Sequence, residues 1–151
     1  GRYMGLFSLL AAIGLGLIIY GKGHADFIQI WNPPTWSRWI PVLLMWPSFI
    51  LFTCTYLPCN IKRTLHHPML IGVLLFTVSH LSTNGDIASI LLFGSFGLFA
   101  LLNIFSVNRR SQHVETIKKP IIWDIAGIII GSMAYTLVLI FHQQLMGVAV
   151  I

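Results

Sequence analysis

Charged side chains are scarce in this chain of 151 residues, and their scarcity excludes an ordinary soluble domain. Asp, Glu, Lys and Arg together form 9% of the sequence, whereas soluble domains carry about 25%. Hydrophobic residues form 56%, and the mean hydropathy is +0.84. A soluble fold of this size could not bury so much apolar surface, so the composition predicts a protein that faces a lipid bilayer.

Motifs for several kinds of chemistry are also missing. The sequence contains neither CxxC nor HExxH, and no glycine-rich phosphate loop follows a strand pattern. Its four carboxylates are too few and too scattered for paired acid–base catalysis, which argues against a hydrolase. The net charge of +5 does not indicate nucleic-acid binding, because there is no run of four basic residues and no basic–aromatic interleaving.

Cysteine is nearly absent, with only Cys54 and Cys59 in the chain. Their spacing is not a usual metal-ligand spacing, and on one continuous helix the two side chains would point away from each other. We therefore expect them to act as small apolar residues. A disulfide is disfavoured because Cys59 falls on the predicted cytoplasmic side.

Five apolar stretches occupy most of the chain and predict an all-α, polytopic transmembrane helix bundle in one domain, residues 1–151. The third stretch begins at Pro68 and reaches only ~21 Å, which is short against a ~30 Å hydrocarbon core. Either this helix begins earlier, near Ile61, or the protein is locally thin. The predicted spans are residues 4–20, 39–57, 68–81, 87–105 and 120–148. Asp86 stands just before the fourth span, where a carboxylate is expected to cap the helix.

The distribution of basic residues predicts the orientation. If the loops 58–67 and 106–119 are cytoplasmic, only Lys22 and Arg38 lie outside, and seven basic residues lie inside. This positive-inside bias places the C-terminus on the outer, non-cytoplasmic side of the membrane. The seven inside residues are Arg2, Lys62, Arg63, Arg109, Arg110, Lys118 and Lys119.

Histidines near or within the spans are the candidate functional residues, because ionisable groups inside a membrane are costly. His80 and His142 lie at a similar depth in the outer halves of spans 3 and 5, where they could face each other. His67 precedes His80 by thirteen positions, about 20 Å along a helix, so these two cannot bind one iron. A structural interpretation also stands: His80 could cap its own helix, and His142 could bond a neighbouring helix.

One face of span 5 carries small and polar residues at steps of three and four. Such a face is expected to point into the bundle, because small residues let helix backbones approach closely. Its members are Asp124, Gly127, Gly131, Tyr135, Val138 and His142.

Several of these segments resemble the NnrU family of bacterial inner-membrane proteins. The most specific match is the string from Arg63 to Asp86, which contains a His-Pro pair and the run His-Leu-Ser-Thr-Asn-Gly-Asp. The other matching segments are residues 2–10, 31–36, 89–97 and 141–148. Family members usually carry one more helix upstream that ends in a His-Ser pair, so we expect a sixth helix in the full protein.

The resemblance implies a function. The family is linked to denitrification and nitric-oxide handling and includes zeta-carotene isomerase, a heme b enzyme. It implies that His80 is the likelier axial heme ligand and that His142, which matches a late family histidine, is the other candidate for the iron. His67 matches the family's core motif together with His80 and is a candidate cofactor-binding residue. The leading hypothesis is therefore a heme b protein with isomerase or redox activity on a lipophilic or small-gas substrate.

Two other hypotheses remain open. The chain could be a non-enzymatic accessory or assembly subunit of a membrane complex, with structural histidines. It could also be related to isoprenylcysteine-type membrane methyltransferases, whose His-Pro-x-x-x-Gly string it shares from His67 to Gly72. Those enzymes need acidic and arginine residues near the C-terminus, and this sequence has none after Asp124.

Overall fold

The structure is a computed structural model that describes residues 2–110 and 117–147. Within these ranges the regular structure is helical, apart from one isolated bridge between Gln29 and Asp86. This confirms the predicted all-α fold class. The helices are α1 (Arg2–His24), α2 (Trp39–Tyr56), α3 (Ile61–Thr64), α4 (Pro68–Leu81), α5 (Ile87–Arg110) and α6 (Ile122–Met146), with a 3-10 turn at Thr35–Arg38 before α2.

Four of the described helical segments are long and apolar enough to cross a membrane. They are Tyr3–His24, Thr35–Tyr56, Ile87–Arg109 and Ile122–Gln144. Helix α4 is apolar but shorter, so the fifth predicted crossing depends on α4 alone. The chain is thus a helical membrane protein.

The short α4 begins at Pro68, and the alternative start near Ile61 is wrong. A separate turn, α3, covers Ile61–Thr64, and the backbone then leaves the helical region at Leu65 (ψ 105°) and His67 (φ −131°, ψ 62°). The residue before a proline is sterically disfavoured in the helical region, which explains the break at His67.

Two other helix ends differ from the predictions. Helix α1 continues through Gly21 and Gly23 to His24, and α5 continues to Arg110. In an apolar environment the intrahelical hydrogen bonds are worth keeping even through glycine. At the other end of the chain, α6 ends at Gly147, whose φ of 73° is the left-handed conformation that glycine adopts after a helix; the predicted end at Val148 lies outside the described residues.

Helix α2 is the central element of the bundle. It packs against α4 on one side and α6 on the other, while α5 packs against the far side of α4 and α1 contacts α5. The helices therefore form a row in the order α6, α2, α4, α5, α1.

The predicted small-residue face of α6 does point at α2. Gly131 is buried against the α2 backbone, since a Cβ at this position would lie 2.7 Å from Ile50 Cα. One turn further on, the Tyr135 hydroxyl donates to the Val42 carbonyl over 3.0 Å. Across the other side of α2, the Ser48 hydroxyl donates to the Gly72 carbonyl of α4 over 2.8 Å.

We expect Gly131→Ala to destabilise the bundle. The new methyl group would meet backbone atoms of Ile50, which cannot rotate away as a side chain could, and overpacking of this kind costs about 1–3 kcal/mol. Reversible unfolding in mixed detergent micelles measures the change in the free energy of unfolding.

The matched control is Gly94→Ala in α5, where a Cβ would have nothing within 4 Å. This control should be neutral or slightly stabilising, because alanine is the better helix former. Equal effects of the two substitutions would contradict the close α2–α6 contact.

Candidate functional site

His80 lies in the last turn of α4 and is held in one orientation by its own helix. Its Nδ1 is 2.9 Å from the Phe76 carbonyl oxygen. A carbonyl can only accept a hydrogen bond, so Nδ1 carries the proton and Nε2 carries the lone pair. This is the tautomer and the backbone restraint found in histidines that ligate metals through Nε2.

Aromatic rings border the His80 imidazole. The Phe76 ring centroid is 4.1 Å away and the Phe93 centroid, from α5, is 4.4 Å away. His80 itself is half-buried between α4 and α5. The imidazole thus sits in apolar surroundings that limit water access.

His142 lies on α6 near the same end of the bundle. It is half-buried, and it is close enough to His80 for their charges to interact. The structure therefore brings His80 and His142, which the sequence placed at a similar depth, into one region.

His67 is not part of that region. It precedes α4 at the opposite end of the bundle, and its Nε2 lies 2.7 Å from the Asn108 side-chain oxygen of α5. It precedes His80 by thirteen positions, so a single iron cannot bind both, as the sequence predicted. His66 beside it is exposed, and His113 lies outside the described residues.

The turn after His80 is hydrogen-bonded to the His80 carbonyl. The Asn84 backbone N–H and side-chain amide both donate to the His80 carbonyl, over 3.0 and 2.8 Å. These bonds satisfy a carbonyl that the helix end would leave unpaired. Gly85 then passes against the loop before α2, where its carbonyl accepts from Ile30 and Trp31 N–H; a Cβ at Gly85 would lie 1.9 Å from the Trp31 oxygen.

Asp86 closes this motif by capping α5 and anchoring α1. Its Oδ1 accepts from the Ser89 backbone N–H over 2.9 Å, which confirms the predicted helix cap. The same oxygen accepts from Lys22 Nζ over 2.7 Å, and Lys22 also donates to Ser89 Oγ. Sequence reasoning assigned the cap but missed Lys22, whose only signal was its position as a lone cation beside a long apolar run.

The electrostatics of Asp86 favour its charged form. Burial raises the pKa of its carboxyl, but the hydrogen bonds from Lys22 and Ser89 outweigh burial and lower the pKa from 3.8 to about 2. The carboxylate therefore stays ionised at physiological pH, where the Lys22–Asp86 ion pair links α1 to α5.

A second polar cluster, which sequence reasoning missed, lies at the opposite end. The Asn60 backbone N–H donates to Asp124 Oδ1 over 2.7 Å, and the Asn60 side chain donates to Oδ2 over 2.6 Å. The Asn60 side chain also exchanges hydrogen bonds with the Lys119 backbone. These bonds fix the loop after α2 to the start of α6.

The described residues contain no group of three or more His, Cys, Asp or Glu side chains that could hold a metal ion. A closed structural metal site, with four protein ligands, is thus absent from this part of the chain. One or two imidazoles suffice as axial ligands of a heme, whose porphyrin supplies the remaining ligands.

We expect Lys22→Met to release α1 from α5 and to lower the free energy of unfolding by about 1–3 kcal/mol, because the buried Asp86 carboxylate loses its charged partner. Spin labels at exposed Leu9 and Leu98 would report a broader α1–α5 distance distribution. Lys22→Arg keeps the charge and should stay close to the parent.

The same distance should respond to acid. Because the folded-state pKa of Asp86 is depressed to about 2, the link contributes fully above about pH 4 and is lost as the pH falls through about 2. A distribution that broadens already near neutral pH would contradict this assignment.

A family model described as NnrU protein matches residues 1–150. A search of curated proteins and a search of solved structures gave no match. The family match extends over His80, the Asn84–Asp86 turn and His142, and it confirms the predicted resemblance: the chain belongs to the NnrU family.

Proposed function

We propose that this NnrU-family membrane protein binds heme b, with His80 Nε2 as the primary axial ligand and His142 as the second candidate. The single observation that carries the proposal is the His80 hydrogen bond to the Phe76 carbonyl, which leaves the lone pair on Nε2. A neutral imidazole restrained through Nδ1 suits ligation of iron.

The surroundings of His80 fit an apolar macrocycle. The Phe76 and Phe93 rings border the imidazole, and His142 lies on another helix, α6, near enough to act on His80 electrostatically. His67 lies at the far end of α4 and hydrogen-bonds to Asn108. Its role in the family motif would therefore not be to bind the same iron.

When bound, heme supplies an iron that can change redox state and polarise a ligand. The chain's own part is then to orient the His80 imidazole, to limit water with Phe76 and Phe93, and to keep the turn after α4 closed through Asn84. The proposed activity is isomerase or redox chemistry on a lipophilic or small-gas substrate, in the setting of denitrification or nitric-oxide metabolism.

A second candidate function is a non-enzymatic accessory or assembly subunit. The observation that favours it is the same His80–Phe76 bond, because a histidine that bonds its own helix end also serves a purely structural role. Heme binding distinguishes the two.

The deciding measurement is an absorption spectrum of detergent-purified protein, oxidised and dithionite-reduced, after expression of the complete reading frame with heme supplied. We expect a Soret band and sharp reduced α and β bands. His80→Ala should lower heme occupancy by more than about tenfold while the protein still inserts.

The matched control is His66→Ala, which removes an exposed imidazole and should keep full occupancy. A featureless parent spectrum at good yield would remove the heme proposal and favour the accessory subunit. Full occupancy in His80→Ala would instead remove His80 as the ligand.

We also propose that the C-terminus is periplasmic. The loops that carry Lys62, Arg63 and Lys119 are tied together at one end of the bundle through Asn60, which supports a single cytoplasmic face. A reporter that is active only in the periplasm should be active after Gly147 and inactive when inserted in the loop at Arg63. The reverse pattern would contradict the orientation.

A further inference from the structure

The two cysteines, which we expected to point apart on a continuous helix, are brought together by the end of that helix. Helix α2 ends at Tyr56, and Leu57 is extended, with φ −91° and ψ 154°. Pro58 follows, and the Cys59 N–H then turns back to the Leu57 carbonyl over 2.8 Å. The predicted end of span 2 at residue 57 already placed Cys59 outside the helix, so the argument from one continuous helix did not apply.

The surroundings of Gly127 on α6 show how close the two sulfur atoms are to each other. A Cβ at Gly127 would lie 2.6 Å from Cys54 Sγ and 3.0 Å from Cys59 Sγ. Both sulfur atoms therefore lie beside Gly127, and the distance between them cannot exceed the sum of these two distances. Neither cysteine forms a disulfide.

Both thiols are buried away from solvent. Cys54 is 2% exposed and Cys59 is 1% exposed. The Cys59 thiol donates to the Trp123 carbonyl over 3.1 Å. The neighbouring carboxylate of Asp124 accepts two hydrogen bonds from Asn60, one on each oxygen. Both oxygens are therefore already hydrogen-bonded.

The number and type of donors select the class of ion. The described residues offer no third His, Cys, Asp or Glu to complete a group of three, whereas structural zinc takes four ligands. Soft thiolates favour Cu(I), whose filled d shell is satisfied by as few as two sulfur ligands. A water-free setting also suits a monovalent ion that is easily oxidised in air.

We propose that Cys54 and Cys59 form a two-thiolate site for Cu(I) at the predicted cytoplasmic end of the bundle. On binding, two S–H bonds break, two Cu–S bonds form and two protons leave, while copper stays monovalent and no electrons are transferred. The resulting complex carries one negative charge, and two charged side chains of opposite sign, Asp124 and Lys62, lie near enough to Cys54 to act on it electrostatically. The site lies at the opposite end of the bundle from His80.

The test is the copper content of the full chain, expressed with added copper and purified anaerobically with a reductant that binds copper weakly. We expect about one copper per chain in the parent. Cys54→Ser and Cys59→Ser should each lose most of it, because one thiolate cannot hold the ion alone. Thr55→Ser, on the same helix, is the matched control and should keep it.

X-ray absorption at the copper edge keeps the test decisive if a serine variant fails to fold. The parent should show sulfur neighbours only, consistent with two thiolates. Copper-free parent protein, copper bound through nitrogen or oxygen, or full copper content in both serine variants would each overturn the proposal. Heme occupancy is read from the visible spectrum of the same samples, so either proposal can fail without the other.

Discussion

Close packing of α2 against its two neighbours is the constraint on which the arrangement depends. In a bilayer there is no hydrophobic force between helices, so their association relies on close contact and interhelical hydrogen bonds. Gly131 lets α6 reach the Ile50 backbone, and Gly72 lets α4 reach the Phe52 ring. Because α4 carries His80 and α6 carries His142, these two contacts set the geometry of the candidate site.

Each end of the bundle is closed by one carboxylate. Asp86 ties α1 to the start of α5 at one end, and Asp124 ties the loop after α2 to the start of α6 at the other. Both carboxylates sit in or next to the first turn of a helix, where the dipole favours negative charge. With few charged residues available, the chain uses them where backbone groups must leave helical hydrogen bonding near the membrane surface.

Patterns that depend on one helix at a time were predictable from the sequence. The small-residue face of α6, the start of α4 at Pro68 and the cap at Asp86 all follow from local spacing and residue type, and each is confirmed. The contacts that escaped prediction join distant segments.

The partnership of Lys22 with Asp86 illustrates why those contacts escaped. The two residues are sixty-four positions apart, and nothing in the local pattern specifies which loop a lone lysine will reach. The fold-back of Cys59 onto Cys54 escaped for a different reason, because the predicted end of α2 did not give the direction in which the chain turns after it. Tertiary packing, not propensity, determines both.

Proline has a consistent part in this arrangement. Pro58 stops α2 so that Cys59 meets Cys54, and Pro68 forces the break that separates α3 from α4. Without the second break, α4 would start a turn earlier and His67 could not leave the helix to meet Asn108. The same restriction on φ and on the preceding residue therefore shortens α4 and directs polar side chains onto one end of the bundle, while the imidazole of His80 stays at the other. Two candidate ligand sets, one of nitrogen and one of sulfur, are thereby kept apart by the length of the central helices, so they cannot coordinate the same ion.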